Sequence, residues 1–135
     1  MKILEENFKL KFLNNEFLFY NAASGIQPFI IENLHLLFSN KKILIILDNN
    51  EEITKYLPTI KRIIKNETLL EFPSWDCSPY DDMSPTKTVI NKRFKTLKYE
   101  SNKISNSYII LTTVDALLQK VPLTKDIEKL ILRLQ

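Results

Sequence analysis

Lys42 to Leu47 reads KILIIL, and Asp48 to Glu52, directly after it, reads DNNEE. An apolar, β-branched run of this kind is what a parallel sheet buries on both faces. The amides and acids that follow signal a helix start. Asn49 or Asn50 would cap it, with Glu51 and Glu52 in the first turn, where negative charge is favoured. That helix extends to about Asn66 and contains Pro58, which should kink or split it. The same alternation recurs outward in both directions. Upstream, Glu16 to Tyr20 (EFLFY) reads as a short buried strand, followed by the turn Asn21 to Gly25 and a helix from about Ile26 to Phe38. Downstream come a strand at Thr68 to Phe72, a proline-rich loop, a helix from about Thr86 to Glu100, a polar break, a strand at Tyr108 to Thr112 and a short helix, Val114 to Val121. Alternating strands and helices predict an α/β fold with a parallel sheet, right-handed crossovers and a functional edge at the strands' carboxyl ends. Asn21 to Gly25, Asp48 to Asn50, the proline loop and Thr112-Thr113 all fall on that edge. Glu128 to Gln135 (EKLILRLQ) alternates as a further strand, and its lack of a turn or partner is the basis for expecting a longer polypeptide.

Composition narrows the function. The 135 residues are one domain's worth, with 44% hydrophobic and 26% charged residues. No apolar run approaches the roughly 18 residues of a membrane span, and the N-terminus lacks a signal peptide's layout, so a cytoplasmic location is expected. Cys77 is the only cysteine, which excludes an internal disulfide and a multi-cysteine zinc site. A net charge of +3 argues only weakly for nucleic acid. Gly25 is the only glycine, whereas loops that cradle phosphates use several.

The loop Phe72 to Pro85 (FPSWDCSPYDDMSP) holds Pro73, Pro79 and Pro85, half of the chain's prolines, and its only tryptophan. Phe72, Pro73, Trp75, Asp76, Pro79, Tyr80, Asp81, Ser84 and Pro85, then Arg93 and Leu97, then Leu111-Thr112-Thr113-Val114 and Ala116-Leu117-Leu118-Gln119-Lys120 with Pro122, form a series. It resembles the N-terminal module of the bacterial transcription-repair coupling factors over roughly Asn21 to Pro122. The resemblance implies a RecA-like α/β fold similar to the excision-repair protein UvrB. It further implies a parent protein that is an ATP-driven DNA translocase, displaces stalled RNA polymerase and recruits UvrA. On this reading residues 1–122 are a UvrB-like subdomain and residues 123–135 begin the next, UvrA-recruiting one. UvrB-like proteins insert a DNA-clamping hairpin in this region; the helix that starts almost at once after Pro85 leaves no room for one.

Each candidate site has a bland reading beside the chemical one. Where UvrB-like proteins carry a phosphate loop, this chain has Asn21, Ala22, Ala23, Ser24 and Gly25, then Ile26, Gln27 and Pro28. It has no lysine for the β/γ-phosphates and no following Ser/Thr for magnesium, and Pro28 removes an amide near the helix start. A degenerate, structural turn without a nucleotide follows. Asp48 ends a strand like a magnesium-binding acid but without a phosphate loop reads as a helix-capping acid. His35 has no companion ligands and reads as a helix-surface residue. Cys77, among Asp76, Asp81 and Asp82, reads as an inert thiol. Trp75 and Tyr80 could stack on bases; the same three acids oppose a phosphate backbone, so both aromatics read as anchors of the loop. Ile90, Arg93 and Leu97, with Phe94 beside them, share one helix side. That makes Arg93 a candidate to reach the loop's carboxylates or carbonyls through its planar fork. Lys87, Lys92, Lys95 and Lys98 read as a solvated face rather than a DNA stripe.

The sequence is therefore read as a noncatalytic scaffold segment with no cofactor and no metal. Its expected partners are the rest of the parent chain, with UvrA, RNA polymerase and DNA engaged largely through other segments. The alternatives are part of a UvrB-type nucleotide-dependent repair enzyme and a free-standing nucleic-acid-binding domain.

Overall fold

The computed structural model describes residues 11–13, 16–18, 25–37, 41–64, 68–78, 82–101, 107–123, 126–127 and 129. A hairpin of β1 (Lys11–Leu13) and β2 (Glu16–Leu18) precedes α1 (Gln27–Leu37), β3 (Lys42–Leu47), α2 (Asn50–Ile63), β4 (Leu69–Phe72), α3 (Lys87–Ser101), β5 (Tyr108–Thr113) and α4 (Val114–Leu118). The fold is α/β, a parallel three-stranded sheet of order β3-β5-β4 flanked by helices. Lys42 pairs with Tyr108 and Leu47 with Thr113 on one side of β5, while Leu69 pairs with Ile109 and Phe72 with Thr112 on the other.

This order dictates where the helices lie. The β3-to-β4 crossover passes over the β5 position in one direction, and the β4-to-β5 crossover returns in the opposite direction. Because such connections share one hand, α2 and α3 must occupy opposite faces. The packing agrees. Ile53, Tyr56, Ile60 and Ile64 of the α2 region form the main core with Ile109 and Leu111, joined by Ile43, Ile45, Leu47 and Leu69. Side chains alternate along a strand, so these odd-numbered residues define one face. On the even face α3 packs through Thr96, whose hydroxyl donates to Glu71 O at 2.8 Å, and Tyr99, which meets Tyr108 edge to face with centroids 5.3 Å apart.

Four sequence expectations change. Glu16–Leu18 pairs antiparallel with Lys11–Leu13 rather than joining the parallel sheet; only two residues separate these segments, the spacing that favours hairpins. Second, β3 is covered on one face only: Leu44 and Ile46 are 52% and 51% exposed. The strand buried on both faces is β5, whose Ile109, Leu111 and Thr112 are at most 1% exposed, because it lies between two neighbours. Third, Pro58 does not split α2; the proline sits on its exposed side, where the carbonyl of exposed Thr54 can face water instead of a missing amide. Fourth, Asp126, Ile127 and Lys129 are helical, with the Asp126 and Ile127 amides donating to Leu123 O, so Lys129 does not stand in a strand. The remainder of the expected terminal strand lies outside the described residues. No helix among the described residues is long and apolar enough to cross a membrane.

Candidate functional site

The carboxyl ends of the three parallel strands bring the loops after β3, β4 and β5 together. After β3, Asn49 caps α2, its Oδ1 accepting from the Glu52 amide at 2.9 Å. Asp48 is exposed beside it and is not the cap, which corrects its reading as a capping acid. Asn50 turns the other way. Its Oδ1 accepts from the Ser74 amide at 3.0 Å and its Nδ2 donates to Ser74 O at 3.1 Å. This side chain thereby satisfies both backbone groups of a residue in an irregular loop, where orphaned polar groups are costly.

After β4, Phe72 and Pro73 are buried and Trp75 is half-buried. The centre of the site is Arg93, 3% exposed in the middle of α3. Its guanidinium carbon lies 4.1 Å from the Phe72 ring centroid and 4.1 Å from that of Trp75. Its Nη1 donates to Pro73 O at 2.7 Å and to Gln119 Oε1 at 3.0 Å. Gln119, just past α4, also accepts from the Trp75 amide at 3.2 Å. Thus, among the described residues, both hydrogen-bond acceptors of this buried cation are neutral. The ring quadrupoles supply electrostatic compensation, worth about 2 kcal/mol or more when desolvated. Burial pushes the guanidinium below its ordinary value, and arginine nonetheless remains charged.

Further contacts fix the frame. Thr112 Oγ1 donates to Phe72 O at 2.9 Å, tying β5 to the end of β4. Thr113 caps α4 by accepting from the Ala116 amide at 3.1 Å, and Ala116 is fully buried. Asp76 Oδ1 accepts from the Thr86 amide at 3.0 Å, which closes the base of the proline loop; hydrogen bonding by Thr86, its hydroxyl first and then its amide, holds the carboxyl below its usual range.

The other residues singled out from sequence are distributed as follows. Asn21, Ala22, Ala23 and Ser24, with Pro79, Tyr80 and Asp81, lie outside the described residues. Gly25 is exposed, and a Cβ there would meet nothing within 4 Å, so no close backbone approach requires a glycine. Ser84 is exposed and Pro85 half-buried, while Leu117 and Leu118 are 47% and 80% exposed. His35 and Cys77 are half-buried. Among the described residues no group of three or more His, Cys, Asp or Glu could hold a metal ion. On α3, Arg93 and Thr96 are the buried residues, while Ile90 is 41% exposed, so the buried line is polar rather than the apolar one expected. Lys92 pairs with Glu71 at 2.6 Å, and Lys87, Lys95 and Lys98 are exposed. The roles of Asn50 and Thr96 were not read from sequence, since neither residue type marks the distant backbone it will serve.

No family model matches the chain. Among curated proteins it is 35% identical over 97 residues to the transcription-repair-coupling factor of Rickettsia typhi, a match covering 70% of this chain and 8% of that protein. It is 31% identical over 85 residues to that of Rickettsia bellii, covering 62% of this chain and 7% of that protein. With the Rickettsia conorii protein the identity is 31% over 75 residues, or 55% of this chain. The matches thus span 7 to 8% of the length of these relatives. Through that segment, this chain is a sequence relative of the transcription-repair-coupling factors.

Proposed function

We propose that the chain serves as a noncatalytic scaffold segment in transcription-coupled DNA repair, a RecA-like α/β unit corresponding to the UvrB-like subdomain of a coupling factor. The observation that carries this reading is the self-contained carboxyl edge. In doubly wound α/β folds, ligands bind in the crevice outside the strands' carboxyl ends. In this chain Arg93, Asn50 and Gln119 spend their hydrogen bonds on Pro73, Ser74 and Trp75, so the polar groups there serve the protein's own loops. Exposed acids rim the same edge at Asp48, Asp76, Asp82 and Asp115, unfavourable surroundings for a triphosphate. The sequence Asn21 to Pro28 adds no lysine.

On this reading ATP hydrolysis, DNA translocation and the engagement of RNA polymerase and UvrA are functions of a larger cytoplasmic protein, which this segment supports by presenting a rigid α/β body. Calorimetric titration with magnesium-ATP tests it: a flat isotherm is expected. Saturable one-to-one binding would overturn the scaffold reading in favour of a UvrB-type nucleotide-dependent enzyme.

A further inference from the structure

One oxygen atom joins three parts of the chain that are distant in sequence. Gln119 Oε1, just past α4, accepts from Arg93 Nη1 of α3 at 3.0 Å and from the Trp75 amide of the loop after β4 at 3.2 Å. An amide oxygen has two lone pairs, so these two bonds fill it. The surroundings of Gln119 along the chain give those bonds weight. In α4 only Ala116 is buried. Between Ala116 and Ile127, Gln119 is the one described residue that is not exposed, since Leu117, Leu118, Lys120, Val121, Pro122, Leu123 and Asp126 all are. Ile127 is 3% exposed. Beyond Ala116, the described chain leaving the sheet is thus held at Gln119 and again at Ile127.

The link between these two points is short and stiff. Gln119 is extended, with φ −79° and ψ 140°. Pro122 fixes its own φ and drives Val121 toward an extended conformation. Leu123 O then accepts from the Asp126 and Ile127 amides at 2.9 and 3.1 Å. With so few free torsions between them, a displaced Gln119 carries Leu123 O with it. We infer that Gln119 is a conformational latch, through which the Trp75 backbone and the turn bonded to Leu123 O open and close as one cooperative unit while the sheet stays intact. Release of the Gln119 oxygen leaves the Trp75 amide without its acceptor and Arg93 with Pro73 O alone, so neither end opens at no cost to the other. The apolar core of Ile53, Ile60, Ile109 and Leu111 does not include Gln119, which is why the unit can open by itself. This inference deepens the scaffold reading by naming the residue that orients the departing chain against the α/β body. Its test involves no nucleotide, so the two can fail separately.

That test is native-state hydrogen exchange of the 135-residue chain. Gln119→Met keeps the length of the side chain and removes the acceptor. Exchange of the Trp75, Asp126 and Ile127 amides should rise together by about tenfold or more, while the Ile109 amide, which donates to Thr68 O at 3.0 Å, keeps its native rate. Gln119→Glu retains an oxygen for both donors and should leave all three amides protected. Coupling is reciprocal, so Ile127→Ala, which loosens the far end, should also speed exchange at Trp75. A rise at Trp75 alone in Gln119→Met would reduce the bond to a local one and overturn the inference. An equal rise at Ile109 would do so too, since it marks global unfolding, as would a Gln119→Glu protein that exchanges as fast as Gln119→Met or a Trp75 amide indifferent to Ile127→Ala.

Discussion

The two faces of the parallel sheet are stabilised by different means. On the odd-numbered face, Ile53, Tyr56 and Ile60 pack on Ile109 and Leu111, an apolar contact without directional demands. On the even-numbered face the buried residues of α3 are Arg93 and Thr96, and both bond backbone carbonyls of the β4 end, Pro73 O and Glu71 O. The first face needs volume to be filled. The second needs particular atoms at particular points, because a buried carbonyl that loses its donor carries a desolvation cost of roughly 1–3 kcal/mol. A strand's hydrogen-bonded neighbours are thus secured by the sheet, while its exit loop is secured by side chains from the opposite helix.

The largest effect should come from the apolar face. Leu111→Ala removes a fully buried side chain at the centre of the core and should lower stability by about 2–5 kcal/mol in denaturant unfolding. The signal from Trp75 in the folded state should be unchanged, since the even face remains intact. Arg93→Lys should cost less, about 2–3 kcal/mol, because a lysine keeps the charge but not the planar guanidinium that lies against the Phe72 and Trp75 rings while its Nη1 donates to both Pro73 O and Gln119. Here the native Trp75 emission should change, as the cation beside the ring moves. An Arg93→Lys protein with unaltered emission and stability would erase the distinction between the faces.

Thr96→Val sharpens it at nearly constant size. The substitution fills the same space and leaves Glu71 O without its donor, so a loss of about 1–2 kcal/mol is expected, where a purely volumetric contact would register almost none. The smallest effect concerns pH. The bond from Thr86 lowers the Asp76 pKa in the folded protein, so its contribution is complete above the unfolded carboxyl value, about 3.9, and is lost as pH falls through the depressed folded value. Asp76→Asn should flatten the acid limb of the stability profile below about pH 4, because it takes from the neutral plateau the same small contribution that acid takes from the native protein. Paired unfolding curves across that range measure the difference.

Much of the fold was legible because β3, β4, β5 and α2 announce themselves locally, by apolar runs and by the Asn-Glu-Glu helix start. Which strand would be central was not. KILIIL and YIILTT are similarly apolar, and only strand order, a long-range property, leaves Leu44 and Ile46 exposed while burying Ile109 and Leu111. Helical spacing placed Arg93 at the border of a buried face, but the Phe72 and Trp75 rings beside its guanidinium depend on how the loop after β4 turns back over α3. Asn50 had an ordinary local explanation as a cap, and that explanation hid its bond to Ser74, because Asn49 was free to cap instead.

The central position of β5 also bears on the order in which the molecule is assembled. β3 and β4 make no ladder with each other; each is hydrogen-bonded to β5, which among the described strands follows both in sequence. Lys42 must therefore await Tyr108, and Leu69 must await Ile109, before either strand acquires its backbone partner. During translation β3 and β4 emerge with α2 before the strand they both pair with. Their ladders to β5 can close only once Thr113 has left the ribosome, and until then the apolar stretch Ile43 to Leu47 lacks the partner it has in the folded sheet.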